Sequence, residues 1–208
     1  MTDVELSVRS ALERGDHETA TTVAIKAYGP EVLGLLVGVL HGHDLASDAF
    51  SVFAERLWTS MPKFQGNCSM RTWVYLLARR AARDVVRSER PRGARNVPLS
   101  LAPNVSALVA RVRTQTLSIL AEEKVAAFAE LRRELPEEDQ QLLVLRVDRG
   151  LAWEDLALIF LDENEDAAAP IDPAALKRES ARLRKRFQLV KDRLRELGRE
   201  RGLLGEDG

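Results

Sequence analysis

The sequence predicts an all-α protein: two small helical domains joined by a flexible linker. Three observations carry that reading. Ala, Leu, Arg and Glu, all strong helix formers, dominate the 208 residues, while aromatics make up 5%. Apolar residues recur at three- and four-residue spacings, and no period-two strand pattern stands out. The polar stretch 89–100 breaks that periodicity with Pro91, Gly93 and Pro98 and holds little that could pack. With 45% hydrophobic and 30% charged residues, the chain is apolar enough to fold.

In chain order, residues 1–22 read as an acidic extension with one helix over Val4–Glu13. A helix is expected over 23–40, broken by His41-Gly42-His43, with Asp44 placed to cap the next. There Ala46, Phe50, Phe53 and Leu57 form one apolar stripe, with Asp48, Ser51, Glu55 and Arg56 off it. That helix ends near Pro62, and Lys63–Ser69 is a loop. A third helix runs over Met70–Ser88 with Trp73, Leu77, Ala81 and Val85 on one side. The first domain therefore spans 23–96, and 97–118 is the linker, with partial helicity from Val105 to Leu120.

The second domain is expected over 119–208. Leu120–Leu135 is one helix, stopped by Pro136. Pro136 and the acids Glu137, Glu138 and Asp139 suit the start of the next. That helix carries Leu142, Leu145 and Val147, and Gly150 ends it. Trp153–Phe160 is a third. An acidic, Ala-rich insert spans 162–173. From Ala174 to Arg201 a long basic helix carries a stripe of Leu176, Leu183, Phe187, Val190, Leu194 and Leu197.

The net charge of −1 hides an asymmetry. Arg71–Arg95 holds eight arginines against two acids, and Ala174–Arg201 eleven basic residues against four acids. Between them, Glu134–Asp166 holds eleven acids against two arginines. Two basic segments flanking an acidic one point to two contacts with a polyanion. The only cysteine, Cys68, excludes an internal disulfide and sits in a polar loop, where redox sensing is the competing reading. His41-x-His43 reads as an interhelical turn before a metal site. Without a phosphate loop or nucleophile motif, the expectation is no enzyme, no cofactor and no metal. The longest apolar stretch, Val32–Leu40, falls short of a membrane span, and no signal peptide is visible. The expectation is a cytoplasmic protein without membrane insertion.

The helices from Glu137 to Phe160, followed by a basic helix, have the ingredients of a helix-turn-helix. Two longer patterns sharpen this. DAFSVFAERLW at 48–58, Phe64-Gln65-Gly66, Met70-Arg71-Thr72-Trp73 and Leu77-Ala78-Arg79 resemble the second conserved region of extracytoplasmic-function sigma factors, subunits that direct bacterial RNA polymerase to promoters. Leu131–Ala157 and Leu176–Phe187 resemble the fourth region. The matches stand in the right order and cover roughly 150 of the 208 residues.

The resemblance implies a transcription-initiation factor. Asp48, Ser51, Val52, Glu55 and Arg56 would dock on the β′ clamp coiled coil of core RNA polymerase, and the β flap is a further expected contact. The loop residues Gln65, Asn67 and Ser69 would capture an extruded base of the −10 element. Arg71, Arg79, Arg80, Arg83 and Arg87 would hold nearby phosphates. Lys177, Arg178, Arg182, Arg184, Lys185 and Arg186 would contact the −35 element, with Arg178, Arg182 and Arg186 as the expected groove triad. Partners are thus core polymerase, promoter DNA and, as in many family members, an anti-sigma factor.

Several positions depart from the family pattern. Ser51-Val52 replaces a Gln-Glu pair, Arg80 an Asn, and Ala152 a capping Ser. The spacing from Ala157 to Lys177 is longer than usual because of the insert, whose acids are expected either to bulge outward or to mask the basic helix. The competing function is a stand-alone helix-turn-helix regulator that does not bind polymerase.

Overall fold

The computed structural model describes residues 2–87, 102–122, 127–161 and 172–203, with side chains at 119–129 left aside. All described secondary structure is helical, and the chain divides into two compact units, the first running through Glu122.

The first unit is built around α2 (His17–Leu40), on which α1 (Asp3–Glu13), α3 (His43–Ser60), α4 (Met70–Arg87) and α5 (Pro103–Glu122) all pack. This placement explains the composition of α2. The helix is long and apolar enough to cross a membrane, beyond the nine-residue stretch noted in the sequence. Its apolar side chains are instead spent on neighbouring helices: Ile25, Val32, Leu33 and Leu36 are buried, and Pro30 faces solvent. Asp16 caps its start by accepting from the Thr19 amide at 3.0 Å. His41 ends it in the left-handed conformation at φ 52°, so the histidine pair is an interhelical turn. Gly42 precedes α3, and Asp44 falls inside its first turn instead of capping it.

Ala46, Phe50, Phe53 and Leu57 are buried as their spacing predicts, and the two phenylalanine rings lie 5.6 Å apart. Trp73, Leu77, Ala81 and Val85 of α4 join the same core.

Two segments differ from the sequence reading. The acidic extension is an integral helix, with Val8 and Ala11 of α1 buried in the first unit. The stretch expected as linker supplies α5, whose Val105, Leu108, Val109 and Val112 are buried. Its close approach to α2 rests on Gly29, where an added Cβ would lie 3.1 Å from Val112 Cγ1. Residues 88–101, the core of the expected linker, lie outside the described residues.

The second unit holds α6 (Ala127–Arg133), α7 (Glu137–Leu143) with a π-helical turn at Val144–Asp148, α8 (Trp153–Phe160) and α9 (Pro173–Glu200). The expected helix over Leu120–Leu135 is thus shorter and begins at Ala127, since α5 extends to Glu122. Leu131, Leu135, Leu143, Val190 and Leu197 form a core against which Phe187 and Leu194 pack. Val147 is the exception in its stripe, 54% exposed, because the wider π turn rotates it outward. Buried Gln140 donates to the Leu135 carbonyl at 2.8 Å and so satisfies an acceptor past the end of α6. Gly150, at φ 67°, makes the turn into α8, whose N-cap Ala152 supplies no side-chain bond.

Candidate nucleic-acid interface

In the first unit, the expected polymerase-binding residues lie on α3, but not as one open row. Asp48, Ser51 and Glu55 are half-buried on its outer side. Val52, expected there, is only 7% exposed and belongs to the core, because a valine gains by burial. Arg56 is tied to Asp84 of α4 in an ion pair that holds the two helices together. Ser51 donates to the Ser47 carbonyl and lies 3.5 Å from Arg113 Nη1 of α5. So α5 flanks this face and brings a guanidinium to its edge. Nothing in the α3 pattern announces Arg113.

The loop after α3 begins with a 3-10 turn at Met61–Lys63, and Gly66 takes φ 73° in it. Gln65 and Asn67 are exposed, with the Asn67 amide 3.4 Å from Gln65 Oε1. Ser69, expected to read a base, serves a structural end. Its hydroxyl accepts from the Thr72 amide at 3.0 Å and bonds the Thr72 hydroxyl at 2.7 Å, so it caps α4. A Ser three residues before Thr at a helix start carries that signal in the sequence.

The remaining amides at the start of α4 are taken by a residue the sequence reading missed. Glu5 of α1 accepts from Met70 N at 3.1 Å and from Arg71 N at 3.3 Å. Negative charge at a helix N-terminus is favourable. No local signal marks it, because its partners are more than sixty residues away.

Along α4, Arg71 is drawn off by Glu31 at 3.4 Å and lies over the Tyr75 ring; the Tyr75 hydroxyl also donates to Glu31. Arg79, Arg80, Arg83 and Arg87 share one sector of the helix, about 100° wide by helical spacing. Arg79, Arg80 and Arg83 are half-buried and Arg87 is exposed. Trp73 is a core residue, packed on Phe64 with ring centroids 5.3 Å apart.

In the second unit, the expected groove triad comes apart. Arg182 bonds Glu179 at 2.7 Å and Glu138 of α7 at 2.9 Å. The Glu179 hydrogen bond chiefly raises its already high pKa, with Glu138 adding to it. Arg186 pairs with both Glu138 and Asp139, and its side chain is 28% exposed. These two arginines dock α9 onto the acidic first turn of α7. Arg184 reaches Glu154 at 3.4 Å and lies over Trp153, which also receives Arg146 and the edge of Phe187. Lys177, Arg178 and Lys185 are exposed, as are the ion-paired Arg182 and Arg184; Arg178 lies 3.7 Å from Asp172. Asp172 caps α9 by accepting from Ala174 N and Ala175 N. The rest of the acidic insert, 162–171, lies outside the described residues.

Comparison with known proteins bears on these two units. Residues 24–92, which span α3, the loop, α4 and most of α2, match the family model for Sigma-70 region 2. The chain is 26% identical over 153 residues to the RNA polymerase sigma-H factor of Pseudomonas aeruginosa, covering 72% of this chain and 78% of that one. No solved structure matches. A helical unit with a polar outer face on α3 and a basic α4 carries the region 2 match, and this match together with the sigma-H relative supports a transcription-initiation sigma factor of the sigma-70 family.

Proposed function

We propose that this protein is an extracytoplasmic-function type sigma factor, docking on core polymerase through α3 and holding the −10 element with the loop and α4. The observation that carries the reading is the arrangement within the first unit. One continuous segment presents a polar helix face, a glycine-containing loop with exposed Gln65 and Asn67, and a helix with four arginines on one side. Polar groups suit base edges, and cations suit the phosphates beside them. Asp48, Ser51 and Glu55 are the clamp-facing residues under this reading, with Val52 and Arg56 supporting from within.

For the −35 element, Lys177, Arg178 and Lys185 of α9 are the contacts, and Arg182 and Arg186 brace the helix that presents them. An anti-sigma factor covering either unit fits the same surfaces. The deciding experiment is transcription in vitro with core polymerase and a promoter library. Initiated transcripts that depend on Asp48 and Glu55 support the reading. Tight duplex binding by the chain alone, with no transcript, would favour the stand-alone regulator.

A further inference from the structure

Arg113 of α5 is a half-buried cation with no carboxylate partner among the described residues. Of the several donors a guanidinium carries, it gives one, at 3.5 Å, to the Ser51 hydroxyl of α3. Between Pro103 and Ser118 its own helix offers it no acid, since Arg111 and Arg113 are the only charged residues there. Other arginines of this unit are spent on acids, Arg56 on Asp84 and Arg71 on Glu31. Taking a cation partly out of water without a counter-ion is unfavourable. The fold therefore leaves at Arg113 a charge that an acid of a partner would satisfy.

The helix that carries Arg113 is firmly held. Val105, Leu108, Val109 and Val112 are buried, Val112 lies against Gly29, and Asn104 donates to Glu18 Oε1 of α2 at 3.0 Å. Beside it on α3, Asp44, Asp48, Ser51 and Glu55 follow at spacings of four, three and four and share one face. Asp44 is exposed, Asp48 and Glu55 are half-buried, and no cation pairs with them among the described residues. That face carries acids along its length and one cation on its α5 edge, at Ser51.

We propose that α5 belongs to the polymerase-docking face and that Arg113 is a contact residue on it, taking an acidic side chain of core polymerase that stands beside the basic ones met by Asp48 and Glu55. The inference rests on the docking reading of α3 given above, and extends it to a helix beyond the region 2 match at 24–92. A uniformly basic partner would be repelled by Arg113, so the complementary surface is mixed in sign. The same arrangement requires α5 to stay docked on α2 when polymerase binds.

The test is equilibrium titration of core polymerase with the full chain. Arg113→Ala, Arg113→Glu and Arg113→Lys are compared with wild type, and Glu55→Ala reports on α3. The expected result is that Arg113→Ala weakens binding about fivefold, Arg113→Glu about fiftyfold and Arg113→Lys least, with the thermal unfolding of Arg113→Ala unchanged. A further variant pins α5 to α2 by Gly29→Cys with Val112→Cys in a Cys68→Ser background. An added Cβ at Gly29 lies 3.1 Å from Val112 Cγ1, which brings the two Cβ atoms within reach of a disulfide. The oxidised form, its closure checked by thiol titration, should bind core polymerase as tightly as the reduced form. If Glu55→Ala weakens binding and Arg113→Ala does not, docking through α3 stands and the role of Arg113 is refuted. Tighter binding by Arg113→Ala, or weaker binding by the oxidised form, makes α5 an obstacle to docking and overturns the inference. A loss of affinity matched by a loss of thermal stability makes Arg113 structural and overturns it too. If neither Arg113→Ala nor Glu55→Ala changes binding, the docking reading of α3 fails, and this inference fails with it.

Discussion

Replacing Glu5 with Ala tests whether a residue outside the region 2 match holds the loop before α4 in place. The substitution removes the acceptor of two α4 amides, Met70 N and Arg71 N, while Ser69 continues to hold Thr72 N. Loss of a helix N-cap costs about 0.5–2 kcal/mol. A hydrogen bond to a charged acceptor contributes about 1.5–3 kcal/mol. Both amides sit at a part-buried helix end where water can replace some of the loss, so we expect about 2 kcal/mol for the pair. Glu5→Gln keeps one acceptor and loses the charge, and should cost roughly half as much. The assay is urea unfolding of the full chain followed by tryptophan fluorescence in a Trp153→Phe background. Only Trp58 and Trp73 then report, and both lie in the first unit. At a slope of about 2 kcal/mol/M, the midpoint should fall by about 1 M. A shift below about 0.2 M, or equal shifts for Ala and Gln, would refute the reasoning.

Gly29→Leu should push Val112 away and detach α5. Amide exchange would quicken across 103–118 while α4 stays protected, at a cost of about 1–3 kcal/mol. Arg186→Ala leaves Asp139, whose side chain is 14% exposed, without its guanidinium and should destabilise the second unit by about 1–2 kcal/mol, less in high salt. Adding Asp139→Asn should restore part of that loss in thermal unfolding. The triple change of Lys177, Arg178 and Lys185 to Ala should leave unfolding unchanged and lower the slope of log affinity against log salt by about 2–3. The Asp16 carboxyl is held below its ordinary pKa, first by the Thr19 backbone amide. Its contribution is therefore present above the unfolded carboxyl pKa and is lost as pH falls through the lower folded value. Asp16→Asn should remove that acid dependence, read as the wild-type minus variant difference across an acid titration.

The sequence by itself determined the local elements. Spacing placed the stripes of α3, α4 and α9, because a helix shows one face to its core and the period survives in the order of residues. Prolines and glycines marked helix ends at Pro136 and Gly150 for the same local reason. The basic segments and the order of motifs were also legible, and with them the family. Only the tertiary structure decided which of these charges remain available to a partner. Arg182 and Arg186 read as groove contacts until α7 supplied Glu138 and Asp139. Arg56 read as exposed until α4 supplied Asp84. Glu5 and Arg113 carried no signal, since the partners that give them meaning are distant in the chain. Periodicity reports which face of a helix turns inward; whether an outward charge is spent depends on which helix packs beside it.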